Sequence, residues 1–444
     1  MSGTGVCTAI VEALRSLVGS EHVLAGERLT AYRLGTCTPV AVVQPADETE
    51  VSRVLGLASS ESLGVVPWGA GAHQCLGLPP NRYDVALDLS RINRLIQHEP
   101  ADMTATVQAG MRFSELQGHL KTRGQFLSLD PPLAERASLG GVLAANLSGP
   151  LRCRYGTARD LVLGVRIAHA DGVLTKGGAK VVKNATAYDI TKLYVGSHGT
   201  LGVILEATLR LFPIPAVEEG WWLPLSDLAT AEALARRVLG SHLQPNRVEL
   251  LDDGARLTCG APGSGVALMI SCAGGREAVQ SQAETLEAMA RAAGTRLIPA
   301  RYFGRTWAAL RDFPWLPDDN TPGKHRALWR GSVLPADCAK AMHAVHDGTP
   351  GGVEGGVAAG VAHGILRGVL RAETAEALAV SLKAARDALE ALGGFLVVLD
   401  APAAVREQID VWGPPADGLG VMRRLKAAFD PKGILNPGRF VGGI

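Results

Sequence analysis

The sequence lacks any pair of cysteines spaced for a metal or a redox motif. Its seven cysteines, at 7, 37, 75, 153, 259, 272 and 338, stand alone, without a C-x-x-C. That pattern argues against a disulfide framework, a cysteine zinc site and a resident iron–sulfur cluster. It fits reduced thiols in a cytosolic core. No long basic run accompanies the formal net charge of +1, so nucleic-acid binding has no electrostatic footprint. No apolar stretch approaches the roughly 20 residues that cross a bilayer. The first residues lack the charged-then-apolar order of an export signal. The expectation is a cytoplasmic chain without a transmembrane segment. A Rossmann fingerprint is also missing, which removes a nicotinamide enzyme from consideration.

What is abundant is glycine. Average usage would give roughly 31 in this length, and there are 53. They gather at 69–77, 140–156, 172–178, 196–202 and 351–368, flanked by apolar segments. Glycine is entropically costly, so such clusters imply tight turns or a ligand lying close to the backbone. The length of 444 residues exceeds one ordinary core.

The apolar spacing predicts an amphipathic helix near the start, through Ile10, Val11, Leu14, Leu17 and Val18. Short strands follow at 40–44, 64–67, 85–89, 104–108, 161–168 and 203–212, with a helix at 48–59 that Asp47 or Thr49 would cap. The Phe-Pro-Ile-Pro run after 211 marks a boundary, since proline cannot continue a ladder. Beyond it, strands at 221–225, 247–251, 266–271, 328–334, 362–370 and 395–399 alternate with helices at 227–239, 276–293, 336–346 and 373–392. Two β-α-β-β-α-β halves of this kind make an antiparallel sheet with helices on one face. Residues 299–326 read as a long irregular loop, and 417–428 as a last helix. The expected organisation is a lead-in (1–37), a glycine-loop domain (38–215), a cap domain (216–400) and a returning C-terminal segment (401–444).

The loops carry the chemistry. The first, PWGAGAHQCLG at 67–77, can turn consecutive amides inward into an anion nest suited to a pyrophosphate. The second, SLGGVLAANLSG at 138–149, sets paired glycines before a helical turn. GGAKVVKN at 177–184 and GSHGTLG at 196–202 follow.

These strings resemble the PCMH-type FAD-binding flavoproteins, the family of vanillyl-alcohol oxidase and p-cresol methylhydroxylase. Within that family the chain is most similar to FAD-binding subunits of bacterial glycolate oxidase. The matching elements are S-G-P-x-R (148–152), Y-G-x-x-R-D (155–160), G-G-x-K-V-V-K-N (177–184), Y-D-x-x-K-L (188–193) and G-S-x-G-T-L-G-V-I (196–204). The tail FDPKGILNPGR at 429–439 resembles the family's C-terminal signature. The resemblance implies an α+β fold, with a two-subdomain FAD-binding domain and an antiparallel-sheet cap domain. It implies FAD as cofactor, contacted by Pro67, Gly69, Gly71, Ala72, His73, Gly77, Ser138, Gly141, Asn146, Gly149, Arg152, Gly156, Gly199, Gly202, Val203 and Ile204. Asn436 and Arg439 either reach the flavin or cap the structure.

By the same resemblance, the activity is oxidation of glycolate or a related small-molecule 2-hydroxyacid, by hydride transfer to flavin N5. Electrons then pass to a separate acceptor. Flavin and iron–sulfur partner subunits are implied, and through them a peripheral place at the inner membrane. A non-catalytic FAD-binding assembly subunit, or a stand-alone oxidase of another alcohol, are the other readings. A 2-hydroxyacid needs a cation for its carboxylate and a base for its hydroxyl. The irregular segment offers Arg301, Arg305, His325 and Arg326, with Arg330 beyond them and Trp307 and Trp315 as walls or core.

Three departures stand out. Ala187 replaces the family's glycine. His73 replaces threonine or serine, and leaves two readings, a covalent link to the flavin or a non-covalent contact. Third, the H-x-G-D-G-N-x-H string of metal-dependent relatives is missing, and no metal is expected. Only His363 remains in that region. His343 and His346 share a helix face, either as an exposed pair or, with His363, as a metal site.

Overall fold

The computed structural model describes residues 3–178, 190–300, 303–316, 324–415 and 417–444. Among these residues the strands form four sheets. The first has four strands, in the order Val23–Leu24, Ala41–Val43, Val85–Asp88 and Val65–Trp68, the last three parallel. Ala41–Val43 and Val85–Asp88 are buried throughout, the near-continuous apolar pattern of a parallel sheet covered on both faces. The Glu48–Ser60 helix crosses between two of its strands, and Asp47 caps it by accepting from the Thr49 and Glu50 amides. Thr49 itself lies inside the helix. The Gly3–Val18 helix sets Leu14 and Val18 into the same core.

The second sheet has five antiparallel strands: Leu95–Glu99, Thr104–Gln108, Val203–Arg210, Val162–Ala168 and Leu174–Gly178. A two-stranded ribbon pairs Phe212–Pro213 with Gln125–Phe126. Leu205 sits in the core of the first sheet and Ile204 in that of the second, so the Val203–Arg210 strand joins the two.

The last sheet is antiparallel and eight-stranded, in the order Ile298–Pro299, Val217–Leu225, Val266–Gly274, Pro245–Leu251, Glu354–Gly360, Ile365–Ala372, His325–Ser332, Phe395–Asp400. It consists of two similar halves meeting where Pro245–Leu251 pairs Glu354–Gly360. Within each half the spatial order, in order of sequence, is 4-1-3-2. Helices Leu228–Leu239, Arg276–Ala292, Cys338–Asp347 and Ala375–Glu390 bury their apolar stripes on one face. The other face packs Leu251, Met269, Leu328, Ala358 and Val369 into one core with Leu139, Val142 and Ile204 of the glycine-loop region.

The structure departs from the sequence reading in two places. Residues 299–326 are not one long loop, because Phe303–Asp312 is helical. Its Leu310 and Trp307 are buried, and that amphipathic spacing was masked by the surrounding Arg, Trp and Pro. The expected strand at 362–370 is instead a hairpin, Glu354–Gly360 and Ile365–Ala372, turning through Gly364 at φ +69. The first of these strands reads EGGVAAG and has almost no β-branched residues, so it left no propensity signal. Residues 179–184, Ala187 and Arg301 lie outside the described residues. Among those described, no helix is long and apolar enough to cross a membrane.

Candidate functional site

A cleft with an empty volume of about 890 Å³ opens where the glycine loops converge. Pro67, Gly69, Gly71, Ala72, His73, Ser138, Gly141, Gly199, Gly202, Val203, Ile204, Asn436 and Arg439 all line it. The 67–77 loop leaves the Val65–Trp68 strand of the first sheet, and the 196–202 loop enters the Val203–Arg210 strand of the second.

Local chemistry fixes each loop. Ser138 caps the Leu139–Ala144 helix, and its Oγ accepts from the Gly141 amide at 3.4 Å and the Ala70 amide at 3.2 Å. The first loop is thereby laid on the second. A Cβ at Gly69 would come within 2.1 Å of Ser138 Oγ, so glycine is required by the close approach. Gln74 Nε2 donates to the Pro67 carbonyl at 3.0 Å and closes the first loop on itself.

The C-terminal tail binds these loops from behind. Leu435 bridges Val65, and the Asn436 amide donates to the Val65 carbonyl at 2.8 Å. Asn436 Nδ2 donates to the His198 carbonyl at 2.6 Å. Arg439 donates to Gln74 Oε1 at 2.7 Å and to the carbonyls of Gln74 at 2.6 Å and Leu76 at 3.1 Å. Burial lowers its guanidinium to about 10, which still leaves it charged at neutral pH. Asn436 and Arg439 are therefore both cleft lining and structural staple.

Other expected residues stand one step back from the cleft. Gly77 packs on the Arg439 carbonyl, where a Cβ would approach to 2.4 Å. Gly149 donates to Asp130 Oδ1 at 3.0 Å. Asn146, at φ +48, backs Gly196, and its Oδ1 is buried without a partner. Gly156, at φ +81, ends the short Arg152–Tyr155 helix, against Asp160.

Two half-buried imidazoles, His73 and His198, line the cleft, and a third, His363, lies outside its lining. Burial pushes His73 down to about 4, and its Nε2 is enclosed without a partner. Its ring meets Trp315 edge-on at 5.5 Å. Burial pushes His198 down to about 3, helped by Arg439 and Arg330. Its ring lies between Trp412 and Phe440 at 5.1 and 5.0 Å. His363 is pushed down to about 3, chiefly by burial and then by Arg152 and Arg367. The sequence reading missed the side chain of His198. The signal was present in G-S-H-G, where a bulky residue stands between two glycines at φ +52.

Of the expected catalytic residues, Arg305 and His325 are exposed. Arg326 donates to the Leu316 carbonyl at 2.8 Å. None of these three lines the cleft. Trp307 is core, with the Arg247 guanidinium 4.5 Å over its ring. The charged groups facing the glycine-loop region come instead from the strands. Arg367 pairs with Glu249 at 2.5 Å. Arg247 pairs with Glu218 and lies 3.8 Å from Asp130, whose carboxyl burial raises to about 6. His346 turns to Asp252 at 3.0 Å. Among the described residues no group of three His, Cys, Asp or Glu side chains could hold a metal.

Buried polar atoms without partners beside glycines that tolerate no Cβ are what a bound dinucleotide would leave behind. Comparison with known proteins agrees. Residues 39–178 match the FAD binding domain family, and residues 414–440 match the C-terminal domain of FAD linked oxidases. The glycolate oxidase subunit GlcD of Bacillus subtilis is 27% identical over 422 residues, covering 90% of this chain and 88% of that one. The mitochondrial D-lactate dehydrogenase [cytochrome] of Arabidopsis thaliana is 35% identical over 235 residues, 52% of this chain and 41% of that protein. The crystal structure of p-cresol methylhydroxylase with substrate bound superposes with a TM-score of 0.76 at 18% identity, covering 98% of this chain and 96% of that one.

Proposed function

From the premise that this chain belongs to the PCMH-type FAD-linked oxidoreductases, we propose that it oxidises a small 2-hydroxyacid, with glycolate and D-lactate first among the candidates. The observation that carries this reading is the cleft between the 67–77, 138–145 and 196–204 loops, with glycines where side chains would collide. Within it, the main-chain amides of Gly69, Gly71, Ala72 and Ser138 would hold the diphosphate end of FAD, with Pro67 and Gly141 in the wall beside it. Gly199, Gly202, Val203, Ile204, Asn436 and Arg439 hold the rest, with Gly77, Asn146, Gly149, Arg152 and Gly156 as support behind them. Bound there, FAD would supply a two-electron acceptor for the hydride from the substrate C2, while the hydroxyl proton leaves to a base or water.

The protein's own part is orientation and exclusion of water. His73 is a neutral donor and acceptor at neutral pH, and we read its free Nε2 as a non-covalent contact to the flavin. Electrons leave for a separate acceptor on a partner chain. Cys37, Cys75, Cys153, Cys259, Cys272 and Cys338 are scattered free thiols, consistent with that reading.

Anaerobic addition of glycolate, D-lactate and longer 2-hydroxyacids to the purified, FAD-loaded chain tests the activity. Bleaching of the flavin by one of them supports it. Bleaching that appears only with partner subunits points to an assembly subunit. If no 2-hydroxyacid bleaches the flavin under either condition, the substrate class is wrong.

A further inference from the structure

A second hollow is built by the C-terminal segment. It is a groove with an empty volume of about 1150 Å³ between the Leu419–Phe429 helix, the 430–444 tail and the turn at Asn81 and Arg82. It shares no lining residue with the cofactor cleft. Four cations line it: Arg82, Arg423, Lys426 and Lys432. Among the described residues of the lining, Asp430 is the one carboxylate side chain, and both its oxygens are occupied. Oδ1 accepts from the Ile434 amide at 3.0 Å, and Oδ2 from the Leu435 amide at 2.8 Å and from Lys426 Nζ at 2.6 Å.

The other three cations bond only to main-chain carbonyls. Arg82 Nη2 donates to Gly433 O at 3.0 Å, Arg423 Nη2 to Gly442 O at 3.3 Å and Lys432 Nζ to Ser59 O at 2.6 Å. Each bond fixes a side chain but leaves its charge uncompensated, with further N–H donors unused. Arg82 Nε is shut away from solvent without a partner. Among the described residues none of the three forms an ion pair, with a side chain or with the terminal carboxylate of Ile444. The whole chain carries a formal net charge of only +1, so this is a local concentration of one sign.

A concentrated charge on a nearly neutral chain attracts and orients a partner of the opposite sign. The lining narrows the partner further. None of the described lining residues is aromatic, so a nucleotide base has nothing to stack on. A basic helix that binds a bilayer needs an exposed apolar face. The helix residues in this lining are Arg423, Lys426 and Ala427, none of them large and apolar. A concave groove also fits an extended chain better than a flat lipid surface. Arginine and lysine clusters of this kind recognise acidic motifs through carboxylates.

We infer that this groove docks an acidic segment of a partner chain, whose carboxylates pair with Arg82, Arg423 and Lys432. Such docking is independent of which substrate the flavin oxidises. Lys426 ties the groove to the cofactor cleft. Its Nζ also donates to the carbonyls of Thr200 at 2.9 Å and Leu435 at 2.8 Å. Thr200 belongs to the 196–202 loop, and Leu435 precedes Asn436, which lines the cleft. A partner seated in the groove therefore lies one side chain away from a loop of the cofactor cleft.

The test is fluorescence anisotropy of dye-labelled hexaglutamate and hexaglutamine, each titrated with the FAD-loaded full chain. Hexaglutamate should bind and hexaglutamine should not, and binding should weaken steeply between about 0.02 M and about 0.2 M salt. Arg423→Glu combined with Lys432→Glu turns two attractions into repulsions and should weaken hexaglutamate about tenfold or more. Lys340→Glu combined with Lys383→Glu makes the same change of net charge at exposed sites on two cap helices. That control should hold affinity within about twofold, since distant exposed charges are screened. Arg423 and Lys432 are exposed, so FAD content and melting temperature should match the unaltered chain in both double variants. Arg423→Gln alone should give a smaller loss in the same direction. Equal weakening by the two double variants overturns the inference, and so does equal binding of hexaglutamine. Binding to phosphatidylserine vesicles that Arg423→Glu with Lys432→Glu abolishes, without any binding of hexaglutamate, also overturns it and reassigns the groove to a membrane surface.

Discussion

The side-chain amide of Asn436 donates to the carbonyl of His198 across 238 positions of sequence, at 2.6 Å. Asn436 is buried and sits at φ +46, a left-handed conformation that asparagine tolerates better than most side chains. One residue thus supplies both a backbone shape and the bond holding the 196–202 loop to the cleft. Asn436→Gly keeps the shape and loses the bond, at about 1–3 kcal/mol for the unsatisfied buried carbonyl. Asn436→Ala adds backbone strain of roughly 1 kcal/mol. Denaturant unfolding should rank native above Gly above Ala, and FAD affinity should fall in both variants.

Gly69 and Gly118 make a controlled pair. A Cβ at Gly69 would meet Ser138 Oγ at 2.1 Å, whereas one at Gly118 has nothing within 4 Å. Gly69→Ala should open the contact between the first two loops and release FAD. Gly118→Ala, on the exposed side of the Phe113–Lys121 helix, should stabilise by about 0.5–1 kcal/mol. Absorbance near 450 nm and thermal unfolding of the two variants distinguish the outcomes.

The cleft was legible in the sequence because glycine spacing is a local signal. Thirteen of the expected cofactor residues line it: Pro67, Gly69, Gly71, Ala72, His73, Ser138, Gly141, Gly199, Gly202, Val203, Ile204, Asn436 and Arg439. Arg330 stood among the candidate cations of the sequence, but its pairing with Arg367 was not legible, because it is a matter of register. Arg330 and Arg367 lie 37 positions apart and become neighbours only through strand pairing. The pairing itself is hidden, since EGGVAAG does not read as a strand and the turn at Gly364 reads as part of one continuous element. Arg305 and His325 attracted attention by composition, yet both face solvent.

The Glu249–Arg367 pair is a buried ion pair, with side chains 1% and 11% exposed. Removing either member strands the other. Glu249→Gln and Arg367→Met should each cost about 3–5 kcal/mol. The double variant should cost less than the sum, and a double-mutant cycle in urea measures the difference.

Stability should fall in acid. His73, His198 and His363 have their pKa depressed from 6.5 to about 4, 3 and 3. Between those values and 6.5 the unfolded chain binds more protons, so unfolding free energy rises with pH through that window and is fully present above it. Asp130, raised from 3.8 to about 6, and Glu249, also raised, act in the opposite sense. Three imidazoles outweigh two carboxyls, and the melting temperature should drop as pH falls from 6.5 toward 4. His198→Gln should flatten that slope, and an unchanged slope would show that His198 already carries a proton in the folded chain.

The most direct measurement is flavin content. Protein produced with ample riboflavin, or refolded with FAD, should be yellow and hold one FAD per chain. Acid or urea followed by filtration should release that FAD unmodified into the filtrate. A colourless protein that takes up no FAD contradicts the account of the cleft. Flavin retained on the denatured chain contradicts the non-covalent reading of His73.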